Sequence, residues 1–247
     1  MQELLKVTAH RPFPVCSRPW IMKQVWRDLL FAHWPIPATE MRQLVPSALE
    51  LDCYDGSAWV AVTPFHMSGI RARWLPPLPG WSAFPELNVR TYVTYKGVPG
   101  VYFFSLDAGN RTAVEVARRS YFLPYFYSRM KVDVRTSDEV RYSSSRVRSL
   151  AEFRGRYRPA SPVRLREKGS LEHFLTERYC LYAARPSGEL LRGHIHHAPW
   201  PLQDAEAEIE CNTLAEAAGI RLPEVPPILH FAKRLEVLVW WLDRASD

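Results

Sequence analysis

The sequence of 247 residues has no long hydrophobic run. The longest late apolar segment, VLVWWL at 237–242, is far shorter than the roughly 20 residues that a membrane-spanning helix needs. The N-terminal segment, MQELLKVTAHRPFPV, lacks the apolar core of a secretory signal. We therefore expect no membrane partner and no secretion.

Cysteine is scarce and scattered along the chain. The sequence has four cysteines, which form no CxxC pair, and this spacing argues against a zinc site or a disulfide scaffold. Reduced, mostly buried thiols are typical of a cytoplasmic protein, and that is the location we expect. The four are Cys16, Cys53, Cys180 and Cys211.

The motifs of several common enzyme classes are missing. The sequence contains no Gly-rich phosphate loop, no GxSxG nucleophile elbow and no HExxH metal motif. The net charge is +6, but the arginines are dispersed and no nucleic-acid-binding motif accompanies them. We therefore expect no cofactor and no nucleic-acid partner, and we interpret the basic charge as a solvated surface.

No Gly/Ser-rich linker and no low-complexity segment divides the chain. A composition of 47% hydrophobic and 13% aromatic residues is enough to bury a sizeable core. We predict an N-terminal arm at 1–17, which contains proline and charge, and a single domain at 18–247.

The most informative stretch runs from residue 84 to residue 130. Residues 86–95 alternate between two faces, as a strand does, and 101–107 has the aromatic and β-branched composition of a buried strand. The two glycines and the proline at 96–100 predict a hairpin turn between them. A helical pattern follows, and Pro124 ends it because proline lacks a backbone N–H.

The remaining chain is predicted to form short strands separated by turn residues. We expect a first strand from Trp20 to Phe31, broken by the segment 33–37, and a last strand region at 229–242. A short helix is predicted at 171–177 and a longer one at 205–218, where a glycine follows. Short strands with few helices indicate a β-rich α+β fold, either a barrel or a sandwich.

Seven segments carry a combined pattern that covers about residues 18–243. They are WRDLLFAHWPIP (26–37), WVAVTPFHMSGIR (59–71), FPELNVRTYV (84–93), GVYFFSLDA (100–108), LPYFYSRM (123–130), FLTERYCLY (174–182) and HHAPWPL (196–202). Together they resemble the YqjF-like family of uncharacterised bacterial proteins. The resemblance implies the acetoacetate decarboxylase-like fold, a closed or partly open antiparallel β-barrel with a few short peripheral helices and a central cavity.

The catalytic motif of the acetoacetate decarboxylases is not kept. Their motif ends in two lysines, of which the first forms a Schiff base with a β-keto acid and the second lowers the pKa of the first. In the matching segment, Arg118 and Pro124 keep the spacing, but Tyr125 and Phe126 stand at the lysine positions. Neither side chain can form an iminium, so we expect no Schiff-base decarboxylation.

Polar residues of the strand at 86–95 are the main candidates for a ligand site. Four of them share one face, which either meets solvent or lines the cavity that the resemblance implies. Arg27 and Arg118 stand where the resembling fold keeps arginines, and an excess of arginine beside one glutamate predicts a carboxylate-bearing ligand. The candidate ligand-binding residues are Arg27, Glu86, Asn88, Arg90, Tyr92, Arg118 and Tyr125, and the candidates for acid–base catalysis are Glu86, Tyr92 and Tyr125.

A histidine group near the end of the chain is the candidate metal site. His194 and His196 would share a strand face about 7 Å apart, which suits a metal ion. The sequence offers no obvious third ligand, so we interpret the pair as structural and keep metal binding as the alternative.

Three function hypotheses follow from these observations. The first is a cavity protein that binds a small, carboxylate-bearing molecule without Schiff-base chemistry. The second is an enzyme of the lyase, isomerase or hydrolase type that acts on a small carbonyl compound or keto acid. The third is a non-catalytic homo-oligomeric or partner-binding module that uses the apolar loop from Trp74 to Trp81.

Overall fold

Paired β-strands dominate the structure, a computed structural model that describes residues 2–135 and 138–245. Within these residues, no helix is long and apolar enough to cross a membrane. The strands are β1 (Met22–Pro37), β2 (Glu50–Leu51), β3 (Ser57–Ala72), β4 (Phe84–Tyr95), β5 (Val98–Ala108), β6 (Tyr125–Val134), β7 (Val140–Arg146), β8 (Glu152–Pro159), β9 (Cys180–Ala184), β10 (Leu190–His196), β11 (Gln203–Asn212) and β12 (Ile228–Arg244). The helices are α1 (Gln2–Lys6), α2 (Ala38–Leu44), α3 (Arg111–Tyr121), α4 (Leu171–Thr176) and a 3₁₀ turn (Glu216–Ala218).

The strands close into two rings that share β12, β1, β3, β4 and β5. One ring is completed by β6, β7, β8 and β11, and the other by β9 and β10. The pairings of β5 with β6 and with β9 are parallel, whereas the sequence predicted an antiparallel arrangement. Parallel neighbours need a crossover connection, and α3 provides it between β5 and β6.

The shared strands pack on both faces. On β4, Leu87 and Val89 face the larger ring and join a hydrophobic cluster that includes Tyr142 of β7 and Phe153 of β8. The opposite face of β4 looks into the smaller ring, because successive side chains of a strand alternate between its two faces. The polar face predicted from the sequence therefore points into the smaller ring.

The central hairpin and helix α3 confirm the predictions for this stretch. Lys96 and Gly97 both have positive φ angles, at 49° and 74°, and form the tight turn between β4 and β5. The side chain of Asn110 accepts a hydrogen bond from the backbone N–H of Ala113 and caps α3. The helix ends at Phe122, which adopts the left-handed conformation two residues before the proline.

The helix predicted at 205–218 is wrong, because most of this segment is strand β11. Its side chains alternate between half-buried and exposed, as in a strand with one face covered. Glutamates on the exposed face pair with arginines of β8, and these cross-strand pairs favour the extended conformation. The pairs are Arg154 with Glu210, Arg156 with Glu208 and Arg158 with Glu206.

The predicted break of the first strand at 33–37 is also wrong. Strand β1 continues to Pro37 and stays paired with β3 to that residue. Its pairing with β12 ends at His33, so Pro35 and Pro37 have no neighbour strand on that side. A proline at such a strand edge leaves no ladder hydrogen bond unmade.

The N-terminal segment lies against the sheet. Leu4 and Leu5 pack on Trp20 and Trp240, and the backbone oxygen of Leu4 contacts a ring nitrogen of His196 at 2.8 Å. The division into an arm at 1–17 and a domain at 18–247 stays a prediction.

Candidate functional site

The smaller ring encloses a cavity of about 370 Å³. All seven strands of this ring contribute side chains to its wall, together with α3, Tyr125 of β6 and the segment from Leu75 to Ser82. The wall is mainly apolar, and its charged groups are few. A cavity of this size and composition is typical of a small-molecule site.

A carboxyl and a phenol meet in the cavity wall. The hydroxyl of Tyr125 donates a hydrogen bond to Oε2 of Glu86, with 3.0 Å between the oxygens. Glu86 is only 4% exposed, and burial raises its pKa to about 8. The hydrogen bond from Tyr125 opposes this rise, and the nearby Asp107 adds to it. The Glu86 carboxyl is therefore mostly protonated at neutral pH.

Arg90 lines the same cavity and is 7% exposed. Its Nε and Nη2 atoms are buried and have no hydrogen-bond partner among the described residues. The guanidinium lies 5.3 Å from the ring centre of Phe31 and 5.9 Å from that of Tyr92. Contacts with ring faces offset only part of the cost of removing a cation from water. Arg90 therefore places a buried cation in the cavity wall, and two of its donor nitrogens have no hydrogen-bond partner among the described residues.

Arg178 also lies in the cavity wall, as does Arg71, and Arg178 has a carboxylate partner. Its Nη1 pairs with Asp52, and its Nε donates to the backbone oxygen of Phe174 at 2.8 Å. The nearby His197 stays uncharged at neutral pH because burial lowers its pKa to about 3. The positive charge of Arg178 is thus balanced by Asp52, whereas Arg90 has no carboxylate partner among the described residues.

The structure brings Glu86, Arg90 and Tyr125 together around one cavity, and the alternative of a solvent-exposed face for β4 is wrong. Tyr92 and Asn88 lie on the same strand and are buried, but they do not line the cavity. The Tyr92 hydroxyl donates a hydrogen bond of 2.7 Å to the backbone oxygen of Leu175, so its proton is already used within the protein. The assignment of these side chains to ligand binding or catalysis stays a prediction.

Arg27 does not line the cavity, which corrects the prediction from the sequence. Its side chain is exposed, and its Nε donates to the Ser68 hydroxyl at 2.9 Å. The register of β1 shifts after Arg27, and Asp28 has a positive φ of 50°. This irregularity changes which residues face inward, from Trp26 before it to Leu29 and Phe31 after it. Arg27 consequently points outward.

Arg118 is likewise on the surface, so its predicted place in the cavity is wrong. It lies on α3, whose inner side presents Ala113, Ala117 and Tyr121 to the cavity. These three residues follow helical spacing of four, and Arg118 falls outside their stripe. The exposed position of Arg118 therefore follows from the rotation of α3 about its axis.

The side chains at the two positions that match the decarboxylase lysines lie on different faces of β6. Tyr125 lines the cavity, whereas the Phe126 ring packs under the guanidinium of Arg146, 3.9 Å from its carbon. Arg146 in turn forms a bidentate pair with the buried Asp107. Among the described residues, no lysine contributes to the cavity wall.

Sequence reasoning missed Arg178, His197 and Trp200, which also line the cavity. Their segments, 174–182 and 196–202, carried the family resemblance, and that was the only signal for them. Each residue approaches the cavity from a strand end or a loop, so no periodic pattern marks it.

Of the candidate metal pair, His196 is engaged in other contacts. His196 contacts the Leu4 oxygen through Nε2 and the Arg11 guanidinium through Nδ1. Arg11 is a cation, and its presence beside His194 and His196 disfavours a metal ion. No group of three residues among the part of the chain that the structure describes could hold a metal.

Comparison with known sequences gives one family. The family model DUF2071, described as "Uncharacterized conserved protein (COG2071)", matches residues 23–236. The chain is 53% identical over 228 residues to the "Uncharacterized protein YqjF" of Bacillus subtilis (strain 168), which covers 92% of this chain and 93% of that protein. The family resemblance seen in the sequence is confirmed.

Solved structures share the fold at low sequence identity. The enduracididine biosynthesis enzyme MppR complexed with pyruvate is 9% identical, with a TM-score of 0.64 over 97% of this chain and 95% of that one. An acetoacetate decarboxylase from Legionella pneumophila subsp. pneumophila str. Philadelphia 1 is 12% identical, with a TM-score of 0.62 over 99% of this chain and 95% of that one. These similarities confirm the acetoacetate decarboxylase-like fold and establish the fold alone.

Proposed function

The chain belongs to the DUF2071 family, and we propose that its cavity binds a small, carboxylate-bearing organic molecule without Schiff-base chemistry. One observation carries this proposal: the buried guanidinium of Arg90 has two atoms without a hydrogen-bond partner among the described residues. A carboxylate fits this guanidinium because it can accept two hydrogen bonds from it and neutralise its charge.

The neighbouring groups support an anionic ligand. A buried cation is costly unless it is paired, and the Arg178 guanidinium already has Asp52 as its partner. Glu86 does not supply a negative charge at neutral pH, because its pKa is raised to about 8. The charge of Arg90 is then left for the ligand to balance. MppR, which shares the fold, has been obtained with pyruvate, a small carboxylate.

The absence of a lysine from the described cavity wall supports chemistry without an imine. A Schiff base needs a free amine that can reach the substrate carbonyl. The polar groups that line the cavity here include a carboxyl, two phenols, an imidazole, guanidinium groups, an amide and hydroxyls. These can donate and accept hydrogen bonds and hold an anion.

Calorimetric titration of the purified protein with hexanoate and with hexanamide tests this function. The two molecules have the same length, and only the acid is charged. We expect hexanoate to bind and hexanamide to bind at least tenfold more weakly, because only the carboxylate neutralises Arg90. Equal binding of both, or no binding of any small carboxylate, would contradict the proposal.

A second candidate function is acid–base catalysis on a small carbonyl compound or keto acid at the same cavity. The observation that favours it is the hydrogen-bonded pair of Glu86 and Tyr125, in which the carboxyl has a pKa of about 8. A general acid or base is most effective when its pKa lies near the working pH. Glu86 meets this condition.

Deuterium exchange tests the second candidate. A keto acid such as 2-oxobutanoate is incubated with the protein in D₂O, and loss of its C3 hydrogen signal is followed by NMR. Catalysis by Glu86 predicts exchange that is faster than without protein and that disappears in Glu86→Gln. Exchange at the same rate in both proteins would assign it to other groups.

A further inference from the structure

The cavity has a closed end and an open end, and they differ in chemistry. At the closed end, Val101 and Cys180 are almost fully buried. At the open end, Leu75 and Leu78 line the wall while remaining 54% and 53% exposed. Exposure of lining residues thus marks the entrance at the segment from Leu75 to Ser82 and at the adjoining side of α3.

Arg90 and the entrance are separated along strand β4. Phe84 lines the cavity near the entrance, where Ile70 and Ser82 are joined by a backbone hydrogen bond of 3.0 Å. Arg90 lies six residues further along the same strand. Six residues of extended strand span about 20 Å, so Arg90 lies far from the entrance.

The cavity wall is mainly apolar. Besides Arg90 and the Glu86–Tyr125 pair, its polar side chains include Gln24, Arg71, Ser82, Thr176, Arg178 and His197. Ala113, Ala117 and Tyr121 present carbon atoms from α3, and Phe84 and Met67 do so from the strands. A ligand as short as acetate or pyruvate would leave most of this surface facing water. Burial of apolar surface by a ligand is favourable in proportion to the area covered.

We infer that the ligand is an amphipathic carboxylate, whose carboxylate binds Arg90 and whose apolar body of about nine carbon atoms extends from there along the apolar wall towards the entrance. The length follows from the volume of about 370 Å³. A group of the size of a water molecule or a methylene takes roughly 30 Å³, so the cavity holds about twelve non-hydrogen atoms. Three of these belong to the carboxylate. This inference rests on the proposed function and adds the size and polarity of the ligand.

Affinities for a series of straight-chain carboxylates test the inference. Butanoate, hexanoate, octanoate, decanoate and dodecanoate are titrated into the purified protein below their micelle concentrations. We expect the dissociation constant to fall about fourfold for each added methylene up to about decanoate. Beyond that length the ligand exceeds the volume of the cavity, so the affinity is expected to level off or fall.

A variant that narrows the entrance makes the test specific to this cavity. Ala117→Phe adds a ring on the inner side of α3 and should move the affinity maximum to a chain at least two carbons shorter, with little effect on butanoate. Glu115→Phe places the same ring on the exposed side of the same helix and serves as the matched control. It should leave the whole series unchanged.

The outcomes separate this inference from the proposed function. If butanoate and decanoate bind with equal affinity, the amphipathic ligand is wrong, while carboxylate binding stands. If no member of the series binds, both are wrong. If Ala117→Phe and Glu115→Phe change the series in the same way, the apolar body does not lie at the α3 side of the entrance and the inference is overturned.

Discussion

The carboxyl of Glu86 on β4 and the hydroxyl of Tyr125 on β6 are joined by a hydrogen bond of 3.0 Å across the intervening strand β5. The two residues are 39 positions apart in the sequence. The parallel pairing of β5 and β6 places Tyr125 opposite Leu106, which pairs with Asn88, so Tyr125 lies two residues from the level of Glu86. The pair combines a mostly protonated carboxyl with a phenol in an apolar wall. It is the polar feature of the cavity that responds most directly to pH.

Glu86 should make the protein less stable as pH rises. Its pKa is about 8 in the folded protein and 4.5 in the unfolded chain, so between these values the folded protein holds a proton that the unfolded chain has released. The free energy of unfolding therefore loses up to about 1.4 kcal/mol per pH unit from this group between pH 4.5 and 8, and nothing further above pH 8. Urea unfolding at pH 5–9 measures the loss.

Glu86→Gln is the matched control for this pH effect, because it keeps a carbonyl oxygen for the Tyr125 hydroxyl but cannot ionise. The difference in unfolding free energy between the two proteins should grow steadily from pH 5 to pH 8. A constant difference over this range would show that Glu86 titrates normally and is not buried as described.

No amine of the cavity should react with a keto acid. The described cavity wall contains no lysine, and Tyr125 faces the cavity where the decarboxylases have one. Borohydride treatment in the presence of acetoacetate should leave the intact mass unchanged. Tyr125→Lys places an amine in the cavity and is the positive comparison, for which we expect an adduct. A stoichiometric adduct on the unmodified chain would contradict the account.

The buried ion pair of Arg146 and Asp107 should contribute strongly to stability. Two hydrogen bonds of 2.8 and 2.7 Å join the pair, and Asp107 is completely buried. Arg146→Ala leaves a buried carboxylate unpaired, so the free energy of unfolding should fall by about 3–5 kcal/mol. Arg158→Ala, which breaks an exposed pair with Glu206, should cost less than about 1 kcal/mol. Similar losses in both variants, measured by urea unfolding, would contradict this difference.

The local pattern of β4 was enough to predict its strand and its polar face. Alternation placed Glu86 and Arg90 on one side, and the family resemblance supplied the cavity that this side meets. The family resemblance placed Arg27 in the cavity and was wrong there, because the irregularity at Asp28 reverses the faces of β1 and no residue type at this point indicates it. A single shift of register was enough to move that side chain from the cavity to solvent.

For the segment at 205–218, amino-acid composition predicted a helix, but the structure has strand β11 over most of it. Its alanines and glutamates favour a helix when taken alone, but their alternation also suits a strand with one covered face. The arginines of β8 that pair with these glutamates lie about 50 residues earlier in the chain. The conformation of this segment is therefore determined by its pairing with β8, and the local sequence of the segment does not indicate that pairing.

Binding of hexanoate to an Arg90→Met variant tests the central claim most directly. Methionine keeps much of the apolar stem of arginine and removes the guanidinium, so we expect the binding free energy to weaken by about 2–5 kcal/mol. Arg27→Met is the matched control, and it should bind hexanoate as the unmodified chain does, because Arg27 is exposed and contacts Ser68. The account predicts a loss in Arg90→Met alone; unchanged affinity in Arg90→Met, or an equal loss in Arg27→Met, would contradict it.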